Sequence, residues 1–232
     1  MQKLEGLWRK AWYKVKVVLL EVMLRPERPM DMVRFGTYYG GWWIRRVDPG
    51  RGPAICAGAG LDVTFDLELQ RLGYRVYTVD PTPDSIKYVR ENAPQLNLLP
   101  VGVWSETAEL EFSRDATHVQ SWSATAVRSD NLVVQRLPVT TVRQLMQSIG
   151  EAHLSILKLD IEGAEHAVIR SIIRDQVRPD CICVEFDDQR LWKVLASVGL
   201  LRKHGYDLIQ IENWNYTFVL RSFHPYSERR DP

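Results

Sequence analysis

Two rhythms of apolar and polar residues alternate along most of this chain. Short apolar runs, Ala54 to Ala57, Arg75 to Val79, Leu96 to Trp104, Leu154 to Asp160 and Cys181 to Phe186, have the length and β-branched content of buried strands. Between them apolar residues recur every three or four positions. Leu61, Phe65, Leu69 and Leu72 mark one helix, which Gly73 stops. Further helices are expected over Asp84 to Asn92, Ala164 to Gln176 and Gln189 to His204, where Gly205 is the stop, with a short connecting helix within Pro138 to Ile149. Five strands alternating with helices imply a parallel, doubly wound sheet with right-handed crossovers. Tyr206 to Glu212 and Thr217 to Ser222, joined at Asn213-Trp214-Asn215, read as a closing hairpin that makes an edge strand antiparallel. Glu109 to Arg114 reads as an added hairpin strand, and Thr117 to Asp130 as a long polar loop containing His118, Ser121 and Ser123.

The ends are built differently. Within residues 1–34, a helical extension, Leu4, Leu7, Trp8, Trp12, Val15, Leu19, Val22 and Met23 form an apolar stripe as far as Pro26. Lys14, Lys16 and Glu21 interrupt it, well short of the ~20 apolar residues a membrane span needs. Packing on the domain or on a dimer partner is the first reading, which leaves a homo-oligomer open. Attachment to a membrane surface is the second, favoured by the lysines and tryptophans. The glycine- and aromatic-rich stretch Arg34 to Trp43 suits either packing beneath the first strand or a flap over a ligand. The main domain is expected over 35–222, with a disordered tail at 223–232.

Composition narrows the function classes. A 232-residue chain with net charge +1 has no basic field for a nucleic-acid backbone. Cys56, Cys181 and Cys183 all fall in apolar strands, with the last two facing one side of the same strand. They read as buried reduced thiols, and no secretory signal pattern stands out, so the expectation is cytoplasmic.

The candidate chemistry begins where the first strand ends. Gly58 and Gly60 open a tight turn into a helix, and Asp80 caps the second strand about twenty residues on, the arrangement of a nucleoside-binding half-unit. A dinucleotide fingerprint wants a third glycine where this chain has Val63, and the turn carries Asp62 and Asp66. Negative charge suits the cationic S-adenosylmethionine (SAM) better than a pyrophosphate. Asp160 and Glu185 stand at carboxyl ends of neighbouring strands, with Glu162, Glu165, Asp187 and Asp188 close in sequence. So many carboxylates in one crevice need cations, a metal or shared protons. Asp160, Glu185 and Asp187 offer oxygens of the kind Mg²⁺ takes, but no histidine has ligand spacing, and no metal ligand is assigned. Glu162 and Glu165 also suit a plainer role, bonding backbone amides and the helix N-terminus. His166 is a candidate base, or a solvated surface histidine.

Several segments together resemble the FkbM-type SAM-dependent methyltransferases. They are L-K-L-D-I-E-G-A-E at Leu157 to Glu165, G-A-G-L-D-V-T-F-D from Gly58, D-P-T-P from Asp80 and V-E-F from Val184. Y-G-G-W at Tyr39 to Trp42, G-V-W at Gly102 to Trp104 and T-F at Thr217 are also similar, so the resemblance covers roughly residues 35 to 222. It implies a Rossmann-like class I methyltransferase with a mostly parallel seven-stranded sheet and an antiparallel terminal hairpin strand. It also implies methyl transfer from SAM to a hydroxyl of a sugar, polyketide or related metabolite, a small-molecule or glycan acceptor. By position, Gly58, Gly60 and Asp62 would surround the methionine part, Asp80 and Pro81 the ribose side, and Gly102, Val103 and Trp104 the adenine. Asp160 would serve as base or orienter, with Glu162 and Glu185 beside it. Cys56 stands where much of the wider family has an aspartate, while in the branch this chain resembles a non-acidic residue there is usual, with Asp62 supplying charge nearby. The competing readings are a nicotinamide-dependent oxidoreductase, disfavoured by Val63 and the terminal hairpin, and a catalytically silent SAM-binding protein.

Overall fold

The computed structural model describes residues 15–115, 122–124 and 132–222. The expectations for residues 1–14, His118, Ser121 and the tail lie outside them. In chain order the elements are α1 (residues 15–24), β1 (Met32–Phe35), β2 (Trp42–Arg45), β3 (Ala54–Ala57), α2 (Thr64–Arg71), β4 (Val76–Val79), α3 (Pro83–Asn92), β5 (Asn97–Leu99) and β6 (Gly102–Val103). Then follow β7 (Ala108–Asp115), β8 (Leu132–Thr140), α4 (Val142–Ser148), β9 (Ile156–Leu159), α5 (Glu165–Arg174), β10 (Cys181–Glu185), α6 (Leu191–Lys203), β11 (Tyr206–Glu212) and β12 (Asn215–Leu220).

A mixed α/β core is built on one large sheet of order β11-β12-β10-β9-β3-β4-β5. Strands β3 and β9, every residue of which is buried, run parallel at its centre. A strand covered on both faces is apolar nearly throughout, which is why these segments read as apolar runs, with Lys158 as the exception in β9. From β3 the chain winds outward through β4 and β5, then returns to add β9 and β10 on the other side. Such a reversal leaves a crevice beyond the carboxyl ends of β3 and β9.

Three expectations need correction. The antiparallel strand is β12, and it is not at the edge: it lies between β10 and β11, antiparallel to both, so edge strand β11 runs with the parallel set. Backbone amides of Glu27 and Arg28 bond to the carbonyls of Leu208 and Ile209 on β11. The apolar run from Leu96 to Trp104 is two strands. Only β5 joins the large sheet, while Gly102 and Val103 join a second, three-stranded sheet of order β6-β8-β7. Strand β8 occupies the start of the segment from which only a connecting helix was expected. Its side chains are largely exposed, so no alternation marks it, and β6 meets it at Val139 and Thr140, just past Pro138.

The aromatic stretch before the sheet does two jobs. β1 and β2 pair as a hairpin whose Trp42 and Ile44 are buried in the core. Thr217 of β12 donates to the carbonyl of Trp43 (2.7 Å), and the Gly36 amide donates to Glu68 of α2 (2.6 Å), so the hairpin is tied at both sides. Its tip stands clear, with Tyr38 and Tyr39 91% and 85% exposed. All three cysteines are free and buried.

Candidate active site

The register of the central strands builds the site. Ala57 pairs with Leu159, so the chain leaves β3 at Gly58 directly beside Asp160 at the end of β9. A Cβ on Gly58 would lie 1.7 Å from the Asp160 carbonyl oxygen, and its φ of +86° is one that favours glycine. Side chain and conformation both exclude any other residue there. The next turn is clamped by Asp80 at the end of β4. Its Oδ2 accepts the Ala59 amide (2.9 Å) and the Gly60 amide (3.4 Å), and its Oδ1 accepts the amide and hydroxyl of Thr82 (2.8 and 2.6 Å). Asp80 therefore shapes the glycine turn from below.

Above this turn lies a cavity of about 850 Å³, within the ~300–1,000 Å³ range of small-molecule sites. Asp160, Glu162, Glu185, Gly58, Gly60, Asp62, Asp80, Pro81, Gly102, Val103 and Trp104 all line it. The hairpin tip from Thr37 to Gly40 forms one rim, and Trp122 of the long loop another, its indole donating to Asp84 (2.8 Å) under the Arg114 guanidinium. Among the described residues, the lining holds seven carboxylates and no Lys, Arg or His.

Their environments differ. Asp62 accepts hydrogen bonds from Thr37 and Thr64, and these outweigh its partial burial and hold it below the ordinary aspartate range. Glu162 sits at φ 52°, in the left-handed region, with Ser123 donating to its carbonyl (2.7 Å). Burial, then the charges of Asp187 and Asp160, push it up to about 8. Asp187 rises to about 6 by burial and the charge of Asp160, although the Glu162 amide bonds it. Burial and then Asp160 and Asp187 also hold Glu185 well above the ordinary glutamate range. The Tyr39 phenol, on the exposed hairpin tip, is raised by desolvation where it meets the lining and by the fields of Asp160, Glu185, Glu162 and Asp187. Among the described residues no group of three or more His, Cys, Asp or Glu is arranged to hold a metal ion.

Lys158, inside the apolar run of β9, escaped the sequence reading. It is 2% exposed and donates to the Gly58 carbonyl (2.5 Å), with Asp160 3.1 Å away. Burial alone would lower it, but Asp160 and Asp66 outweigh that and hold it above the ordinary lysine value. A lysine in an otherwise apolar central strand was the available signal. The β11–β12 turn also supplies Glu212, Asn213 and Asn215 to the cavity, and Glu212 is paired with Arg34 at 3.2 Å. That turn reaches the crevice because β11 runs parallel to β10.

Other candidates stand elsewhere. Asp66 does not face the cavity. It is buried against Thr78 (2.6 Å), and burial lifts it to about 6 despite the charge of Lys158. His166 is neither an exposed histidine nor a base in the cavity. It is buried and stacked on Phe186, with Nδ1 2.8 Å from the Ser197 hydroxyl and Nε2 3.2 Å from the Asp188 carbonyl. Desolvation depresses its pKa, so it ties α5 to α6 as a neutral ring that donates to Asp188. Glu165, also fully buried, accepts the Gly163 amide (2.7 Å) and is lifted to about 8, first by burial and then by Asp187. Asp188 is drawn away by Arg190 and Lys193.

Fold and cavity together define an α/β protein with a deep cavity at the carboxyl edge of a mostly parallel sheet. The chain belongs to the FkbM methyltransferase family: residues 56–208 match the model of the methyltransferase FkbM domain. Neither the curated proteins nor the solved structures returned a match.

Proposed function

We propose that this protein is a SAM-dependent O-methyltransferase of the Rossmann-like class I type, acting on a hydroxyl of a sugar, polyketide or related metabolite. The observation that carries this reading is the pairing, across one cavity, of the Asp80-clamped glycine turn with seven lining carboxylates, two of which, Asp160 and Glu212, are paired from behind the lining by Lys158 and Arg34. Such a lining favours a cofactor bearing a sulfonium and an ammonium over a pyrophosphate. It equally favours a neutral acceptor over a phosphorylated one. The residues present fit SAM. Asp80 lines the cavity with both oxygens already accepting two hydrogen bonds each, so a ribose hydroxyl would take the place of the weakest of them, the 3.4 Å bond from the Gly60 amide. Gly58, Gly60 and Asp62 would hold the methionine part, Pro81 would lie on the ribose side, and Gly102, Val103 and Trp104 would hold the adenine.

When bound, SAM supplies an electrophilic methyl group. The protein's part is to hold the acceptor oxygen in line and take its proton. Asp160 has the position for this, at the lip of β9, with Lys158 fixing its carboxylate from beneath. Tyr39, Asn213 and Asn215 offer hydrogen bonds to a hydroxylated acceptor.

Calorimetry with SAM and with NAD separately tests the cofactor, and only SAM is expected to bind. Asp80→Ala should weaken SAM by roughly tenfold or more, since charge-assisted hydrogen bonds are worth about 1.5–3 kcal/mol each. Unchanged affinity in a folded Asp80→Ala variant would remove Asp80 from the site.

A further inference from the structure

The N-terminal helix carries more apolar surface than the domain covers. In α1, Leu20 and Leu24 are buried against the core, and Arg202 of α6 donates to the Leu24 carbonyl. The opposite face is open: Val15, Val18, Leu19, Val22 and Met23 are 44% to 65% exposed. At 100° per residue these five fall on one stripe. It is an apolar patch on the order of a few hundred Å², more contiguous than scattered surface residues and short of the ~800 Å² per partner that a stable dimer buries.

The surrounding charge points to the occupant. Residues 1–28 hold seven Lys and Arg against three Glu, although the whole chain is nearly neutral. Lys16 borders the stripe, and the sequence spacing of Leu4, Leu7, Trp8 and Trp12 continues its apolar pattern, with Lys14 near its other edge. A second copy packed on this stripe would set like charges against each other. An anionic bilayer surface accepts both features: acyl chains take the exposed valines, Leu19 and Met23, and lipid phosphates take Lys16 and the basic excess of this segment. Among the described residues no helix is long and apolar enough to cross a membrane, so the contact lies in the interface.

We propose that α1 docks this protein, apolar stripe down, onto the surface of an anionic lipid bilayer. The test is co-sedimentation of the full chain with vesicles of phosphatidylcholine alone or mixed with phosphatidylglycerol. Binding is expected to the mixed vesicles, weakening as salt is raised. The double variant V18D/V22D should lose about tenfold or more of that binding, with its melting temperature kept, because both side chains are exposed. The proposal is overturned if the wild type sediments with neither vesicle, if it binds both equally, or if V18D/V22D binds as well as the wild type. A concentration-dependent dimer that V18D/V22D dissolves would assign the stripe to a second copy and overturn it as well.

Discussion

Asp160 is where the electrostatic contacts of the cavity converge. It ends a fully buried strand, abuts Gly58, pairs with Lys158, and raises Glu162, Glu185 and Asp187 through its charge. A group that takes the acceptor's proton acts mainly in the transition state, where general-base help is worth about 10²–10⁴-fold. Asp160→Asn should therefore lower kcat by roughly that factor while SAM affinity changes little. Near-normal turnover in that variant would move the base to Glu185. Asp160 was legible in the sequence because an acid ending an apolar strand stands out. His166 was misread because one sequence does not show that Phe186 and Ser197 enclose it.

Strand β9 shows what an element adds. Its four residues look like plain apolar filling apart from Lys158, yet that side chain links three elements: the Gly58 turn, Asp160 at its own end, and Asp66 on α2. Removing one member of a buried ion pair leaves the others uncompensated, at a cost of about 3–5 kcal/mol. Lys158→Met should lower the melting temperature by about 10 °C, at the ~2–4 °C per kcal/mol expected for this size. A melting temperature within a degree or two of wild type would show that Asp66 and Asp160 find other partners.

At the level of the whole molecule the cavity is an acidic well. Glu162 at about 8 and Asp187 at about 6 bind protons more tightly in the folded protein than in the unfolded chain. Their stabilisation is complete below about pH 4 and is lost as pH rises toward 8, because the unfolded chain ionises first. A cation in the cavity lowers these pKa values, so binding it releases protons. SAM affinity should therefore climb between pH 6 and 8, with proton release visible by calorimetry in buffers of different ionisation enthalpy. A flat profile with no released protons would place the cation away from these carboxylates.

The amino-acid sequence by itself determined the alternation of strands and helices, the glycine turn, the capping acids and the family motifs. Each of these is legible from neighbouring residues: a short apolar run, a glycine pair at positive φ between a strand and a helix, and an acid directly after a strand. Tertiary structure decided which acids share a cavity, because that depends on strand order and register. Register put Gly58 against Asp160, and the insertion of β12 between β10 and β11 turned Asn213 and Asn215 into the site. Burial, likewise non-local, lifted Glu162 while the hydroxyls of Thr37 and Thr64 held Asp62 down. The sequence shows seven scattered acids. Only their packing, which sets desolvation and distance, makes them one acidic well.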